Sequence, residues 1–260
     1  MAPFLVDTAS EMPTTEWEEY MFNSGSPVAN ISKSNSSYTP TRSHPIPIAI
    51  CGMALRLPGG LTTPAQFWDF LLSKKDARSP IPESRYNIAA YHSKSGRPGT
   101  IKTEYGYFLD ESIDISTIDA SFFSMAKVEI EKVDPQQRQL LEVVRECFES
   151  AGETDYKGKK IGCFVGSFGE DWVEAFSKEN MHVGQYRVSG VGDFVQSNRI
   201  SYEYDLRGPS MTIRTGCSSA LIGLHEAWNS IQQGQCSSAI VGGTNCMSDI
   251  SLSSRSMIHY

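Results

Sequence analysis

Residues 210–234 read SMTIRTGCSSALIGLHEAWNSIQQG. The opening SMTIR, with its β-branched Thr212 and Ile213, has the character of a strand. Gly216 punctuates it, and from Ser218 onward Leu221, Leu224, Trp228 and Ile231 recur at helical spacing. A strand that turns tightly into a helix is the repeating unit of an α/β fold. The spacing predicts that those four apolar residues form one buried stripe, so that the helix is anchored and whatever sits at its head is held still. Cys217 sits at that head, among the unpaired N–H groups and the positive end of the helix dipole. Thiols in such places are favoured as thiolates. Ser218 and Ser219 offer capping oxygens. The arrangement has the logic of a nucleophile elbow with cysteine in place of serine. The competing reading is a core cysteine at a strand–helix junction, since cysteine is so often buried.

Working outward, the same alternation continues. SAIVGGTN (238–245) and KIGCFVG (160–166) are short apolar runs with the look of covered strands, and helices are expected around DWVEAFSK (171–178) and GDFVQSNRISYEY (192–204). DPQQRQLLEVVRECFESAG (134–152) predicts the strongest helix. Asp134 caps it with Pro135 at the first position and Gln137 completing the box; Leu140, Val143, Val144, Cys147, Phe148 and Ala151 make its stripe; Gly152 ends it. PIPIAICGMAL (45–55) predicts a strand, and Thr63, Pro64 and Gln66 predict a boxed helix over AQFWDFLLS that buries Phe67, Phe70 and Leu71. Residues 76–120 read as a long surface excursion, interrupted by Phe108-Leu109-Asp110 and by Ile113, Ile115 and Ile118. Excursions of that length are usually functional or interfacial. Residues 1–44 are rich in Ser, Thr, Asn and Pro and are expected to be a mobile leader, with EWEEYMF (16–22) as a short helix; order is expected to begin at 45.

Composition narrows the function classes. Of the 260 residues 40% are apolar and 20% charged, which suits a globular chain, and the net charge of −7 argues against a nucleic-acid partner. The N-terminal segment is acidic and lacks the basic and apolar regions of a secretory signal, and no apolar run is long enough to span a bilayer, so a cytoplasmic protein without membrane contact is expected. The six cysteines form no C-x2-C pair; Cys51, Cys147, Cys163 and Cys246, in or beside apolar segments, read as small core residues. His225 lies eight positions after Cys217 on the same helix, about 12 Å along its axis, and reads as packed against Trp228 rather than as a base. His44, His92, His182 and His259 fall in loops or ends without recognisable partners. Gly242-Gly243 lacks the helix and acid of a dinucleotide site and reads as close strand packing; Asn198 and Arg199 read as a buried polar contact.

Several pieces in order carry a resemblance: IAICGMALRLPGG (48–60), SFFSMAKVEIEKVDPQQRQLLEVVRECFESAG (121–152), IGCFVGSFGEDW (161–172) and the run from Asn198 to Asn245. Together residues 45–260 resemble the N-terminal portion of the β-ketoacyl synthase domain of fungal iterative (type I) polyketide synthases, in the thiolase-like superfamily. The resemblance implies the N-terminal half of a thiolase-like fold, with layered helices around a mixed, mostly parallel sheet and the chain ending before the second half. It implies that Cys217 takes the growing acyl chain as a thioester, and that the chain is extended by decarboxylative Claisen condensation with a malonyl unit, in secondary metabolite biosynthesis. The implied partners are an acyl carrier protein bearing phosphopantetheine, acyl and malonyl thioesters, and a second ketosynthase in a homodimer or related pair; no cofactor bound by this chain itself is implied. Two departures stand out. Arg214 occupies a place where the family usually has an acidic residue, with Gly216 in place of alanine. Two readings of Arg214 stand: a cation three residues from the thiol that favours the thiolate, or a side chain that strand alternation turns away from it. The two downstream histidine motifs of the family do not occur, so the chain is expected to be truncated and unable to condense alone. The alternatives are a non-catalytic relict or accessory partner of a full synthase, and a stand-alone cysteine acyltransferase or thioesterase.

Overall fold

The computed structural model describes residues 3–8, 45–85, 87–169, 171–177 and 186–246. Its centre is a five-stranded sheet in the order β2-β1-β7-β5-β6. The strands are β1 (Phe4–Thr8), β2 (Ile48–Met53), β5 (Ile161–Phe168), β6 (Ser210–Ile213) and β7 (Ser238–Asn245); Ser79–Pro80 (β3) and Tyr105–Gly106 (β4) form a separate small ladder. β5 pairs parallel with both β6 and β7, whereas β1 runs antiparallel to both β2 and β7. Four strands therefore point one way and one points back, the mixed and mostly parallel sheet that was expected.

Alternation along the covered strands builds a core on each face. Cys163 and Val165 of β5 join the helices α2 (Pro135–Ala151) and α3 (Gln196–Glu203) on one side; Phe164 faces α4 (Ser219–Gln232) on the other. The predicted stripe of α2 is fully buried from Leu140 to Phe148 apart from its outward positions, and Gly152 closes the helix in the left-handed conformation with φ 70°. Side chains of this kind contribute about 1.5–3 kcal/mol each on burial. Phe148 stacks on Tyr156 at 4.7 Å, and the Tyr204 hydroxyl, just past the end of α3, donates to the Leu141 carbonyl at 2.6 Å, tying α3 to α2.

Three expectations are corrected. Phe4–Thr8, inside the stretch read as a leader, is a strand: Leu5 and Val6 are apolar enough to sit between two cores, and the Ser- and Pro-rich character of the stretch belongs to the residues after Thr8. Residues 9–44, including the helix expected over EWEEYMF, lie outside the described residues. The helix α1 (Pro64–Leu72) has its capping box, with the Gln66 N–H donating to Thr63 Oγ1 at 3.2 Å and the Thr63 N–H to Gln66 Oε1 at 3.1 Å. Yet it buries no residue: Phe67 and Phe70 are half-buried and Leu71 is exposed, because among the described residues little packs over this edge. Finally, Cys51 is exposed rather than core. The β1–β2 register slips between Leu5 and Val6, which face Gly52 and Ile50 and leave Cys51 as an unpaired bulge residue.

Asp134 caps α2 as expected, its Oδ1 accepting the Gln136 N–H at 2.8 Å, but Gln137 does not complete the box and its Nε2 donates to the Gly190 carbonyl at 3.2 Å. Burial and the nearby Asp171 charge push its carboxyl up to about 6. The folded chain thus holds this proton more tightly than the unfolded chain does. The resulting stabilisation is complete below about pH 4 and is lost as the pH rises through about 6, by up to ~3 kcal/mol. Asp134→Asn keeps the acceptor and removes the titration. Denaturation of both proteins at several pH values should show the variant gaining on the wild type between pH 4 and 6; a constant difference across that window would refute the assignment.

Candidate functional site

β6 ends at Ile213, and the chain turns through a 3₁₀ segment, Gly216–Ser218, into α4. Gly216 has φ 68°, a conformation that a β-carbon makes costly and that accounts for glycine rather than alanine here. The two serines tie this turn together instead of capping the helix by their side chains. Ser219 Oγ accepts the Thr215 N–H at 2.8 Å and donates to the Gly216 carbonyl at 2.7 Å, while the Ser218 hydroxyl donates to the Thr215 carbonyl at 2.9 Å. The turn is locked by its own hydrogen bonds, with Cys217 at its middle. Cys217 is exposed, which removes the reading of a core cysteine.

The helix is anchored by fewer residues than its stripe suggested. Ile231 and Ala227 are buried against Phe164 and Val241, and Leu224 packs partly on that cluster, but Leu221 and Trp228 are exposed. Small residues, Gly223 and Ala227, meet the sheet and let α4 lie close to it. Closest of all is Gly166 of β5, where an added Cβ would stand 2.3 Å from Ala220 N and 2.6 Å from the Ser219 carbonyl carbon. Gly166→Ala should therefore cost about 1–3 kcal/mol by forcing the head of α4 off the sheet, and should impair any chemistry at Cys217. Gly223→Ala, whose Cβ would meet only Ile213 Cδ1 and Phe164 at 3.6 Å, is the control on the same interface. Equal urea midpoints for the two variants would overturn this view of Gly166.

Cys217 opens on a cavity of about 620 Å³. Its floor is the carboxyl ends of the parallel strands, Gly166 to Phe168 of β5 and Gly243 to Asn245 of β7, which is where ligands bind in open parallel sheets. Its outer wall is Tyr107, Phe108 and Leu109, from the excursion that sequence reading placed at the surface without assigning it a site. Ser167 is fully buried at the floor, and its hydroxyl has no hydrogen-bond partner among the described residues. Behind the floor, Gln136 Oε1 accepts from Thr244 Oγ1 at 2.9 Å and from the Cys246 N–H at 3.2 Å, fixing the end of β7 to the first turn of α2. Nothing in the periodicity pointed to this contact.

The other candidates separate from Cys217. His225 stacks near Trp228, with ring centres 6.3 Å apart, and lines a different groove with Ile50 and Leu221. His92 is in the excursion, whereas His44, His182 and His259 lie outside the described residues. Arg214 pairs with Asp193 at 2.9 Å. Arg199, buried as expected, pairs with Glu129 at 2.7 Å, whereas Asn198 is exposed and accepts from Ser210 at 2.9 Å. A Cβ on Gly243 would stand 3.0 Å from Ala220 Cβ, so the close packing here is of β7 against α4. Among the described residues no group of acids, cysteines and histidines could hold a metal ion, and no helix is long and apolar enough to cross a membrane.

The β-ketoacyl synthase N-terminal domain model matches residues 46–259. The chain belongs to the β-ketoacyl synthase family. Among curated proteins, this ketosynthase chain is 62% identical over 200 residues to the highly reducing polyketide synthase sphB of Aspergillus fumigatus, a match that covers 77% of the chain and 8% of the relative. It is 62% identical over 198 residues to the highly reducing polyketide synthase VdtX of Byssochlamys spectabilis, covering 76% of the chain and 9% of that relative. Its fold is similar to that of the oxazolomycin ketosynthase domain OzmH KS7 of Streptomyces albus, with TM-score 0.68 and 30% identity over 79% of this chain and 36% of that one. It is also similar to the module 6 ketosynthase of the Bacillus subtilis bacillaene synthase, with TM-score 0.67 and 29% identity over 80% of this chain and 34% of that one. The chain thus spans less than a tenth of those curated relatives and about a third of those solved ketosynthases.

Proposed function

We propose that Cys217 accepts an acyl group from a thioester, as the loading half-reaction of a polyketide-synthase ketosynthase. The observation that carries this reading is the exposed thiol on a locked turn at the head of α4, facing a cavity large enough for an acyl chain. In the step, the Cys217 sulfur attacks the thioester carbonyl, the bond from that carbon to the donor sulfur breaks, and the departing thiol takes up the proton that Cys217 gives up. Phe108, Leu109 and Phe168 supply apolar wall for the chain.

The donor in this reading is phosphopantetheine on an acyl carrier protein, and the acyl group is then extended by decarboxylative condensation with a malonyl unit. Similarity to highly reducing fungal polyketide synthases supports that course. Only acyl loading is assigned to residues of this chain; decarboxylation is assigned to none of its described side chains. Pairing with a second ketosynthase belongs to the same proposal.

The test is to incubate the protein with a short acyl thioester and map the added mass by peptide mass spectrometry. Cys51 is a built-in comparison: it too is exposed, but partial burial and the Asp7 charge push its thiol up. The expected result is acyl mass on Cys217 well before Cys51. Equal labelling of the two, or none on Cys217, would sink the assignment.

A further inference from the structure

β1 is the one strand of the sheet outside the family match, which begins at residue 46, yet it lies between two strands that are inside it. Among the described residues β2 has no other strand neighbour, so β1 alone joins it to the rest of the sheet. The fit is specific on both faces. Leu5, 4% exposed, belongs to the core under α2, and Val6, 3% exposed, to the core under α4. A strand covered on both sides has its register fixed, since a slip of one residue would exchange the two cores. Phe4 faces Met53 on one side and Val241 on the other, Asp7 faces Ala49 and Ser238, and the Ala54 N–H donates to the Pro3 carbonyl at 3.2 Å.

The connection does not match this fit. Thr8 stands opposite Ile48, a geometry that a hairpin loop of about 2–5 residues closes. Here residues 9–47 intervene, Ser-, Thr- and Pro-rich. Thirty-nine residues span at most about 130 Å when fully extended, far more than one strand spacing and enough to reach a neighbouring molecule. Order on the β2 side is secured independently of β1, because the Ile46 N–H and carbonyl both bond the Gln232 amide of α4, at 2.8 and 2.7 Å.

We propose that the gap between β2 and β7 is a strand-accepting site, and that the Phe4–Thr8 segment of a second copy of this chain can enter it in place of the chain's own. The ligand chemistry is that of an extended segment with two adjacent apolar side chains pointing to opposite faces, held by backbone hydrogen bonds on both edges. Filling by the same chain is favoured only by the effective concentration the connection confers, which falls as the connection lengthens. Exchange between copies therefore rises with protein concentration and forms most readily when chains fold together.

The experiment mixes two full-length chains, both carrying Cys51→Ser. One also bears Asp7→Cys and the other Ala49→Cys, the residues that face each other across the ladder. They are refolded together over a range of concentrations and mildly oxidised. The expected product is a disulfide-linked pair whose yield rises with concentration and exceeds severalfold that obtained when Met53→Cys, which faces Phe4 instead, replaces Ala49→Cys. A chain bearing Asp7→Cys and Ala49→Cys together should close on itself at low concentration. Equal linkage to positions 49 and 53, or linkage only within one chain at every concentration, overturns the exchange. Failure of the double variant to close overturns the site itself. Size-exclusion of the unsubstituted chain after the same refolding gives an independent reading: monomer throughout excludes exchange.

Discussion

Cys217→Ala should leave the chain folded while its acyl uptake from a thioester falls by about 10³-fold or more. The two halves of that expectation have separate grounds. On stability, the Cys217 side chain is exposed and the turn around it is held by Thr215, Ser218 and Ser219, none of which bonds the thiol. Removing one exposed sulfur should shift stability by no more than about 0.5 kcal/mol. On activity, no second thiol stands ready in the cavity among the described residues. Cys246 lines the same cavity, but burial pushes its thiol up and keeps it neutral. Cys217→Ser is the stricter version, since it keeps size and position but replaces a thiol with a hydroxyl that ionises far less easily. It should lose uptake nearly as completely. Intact-mass kinetics and a urea midpoint measured on the same preparations check both halves. Uptake above about a tenth of the wild-type rate in either variant would move the chemistry to another residue.

What was legible in the sequence was whatever repeats along one element. Short apolar runs gave β5 and β7, helical spacing gave α2, and cap residues gave the starts of α1 and α2. The elbow at Cys217 was legible because strand, glycine and helix follow one another without interruption. What was not legible depends on which element covers which. Leu221 and Trp228 have the spacing of a stripe, but spacing cannot say whether anything lies over it, and here Gly223 and Ala227 make the contact with the sheet. Phe4–Thr8 is too short to show a period, and its polar sequel suggested a leader. Its role as a strand comes from two neighbours that are distant in sequence. The cavity wall at Tyr107–Leu109 was hidden for the same reason, since irregular segments carry no period from which to read what they face.

Arg138→Leu should destabilise the chain by about 3–5 kcal/mol, the largest loss expected from any single side chain outside the apolar core. Sequence position makes Arg138 look like an ordinary polar residue in the first turns of α2, yet it is only 3% exposed. Its guanidinium is a hub for main-chain oxygens. Nη1 donates to the carbonyls of Ile130 at 2.6 Å and Val133 at 2.8 Å, while Nε and Nη2 both reach the Ile115 carbonyl, at 3.2 and 2.8 Å. The planar fork thus closes the irregular segment 115–133 onto the helix that carries the core. Leucine fills similar space but leaves three carbonyls without their donor, each a penalty of about 1–3 kcal/mol where water does not reach. Lysine keeps the charge but, as a single point donor, cannot serve carbonyls on opposite sides, so Arg138→Lys should fall between leucine and wild type. The site should feel the change as well, because the same excursion supplies Tyr107, Phe108 and Leu109 to the cavity wall. Urea denaturation ranks the three proteins, and hydrogen exchange should show the loss of protection spreading from residues 115–133. If Arg138→Leu unfolds at the wild-type midpoint, these hydrogen bonds do not hold the segment, and its order must come from Phe123, Met125 and Ile130 packed in the core beneath it.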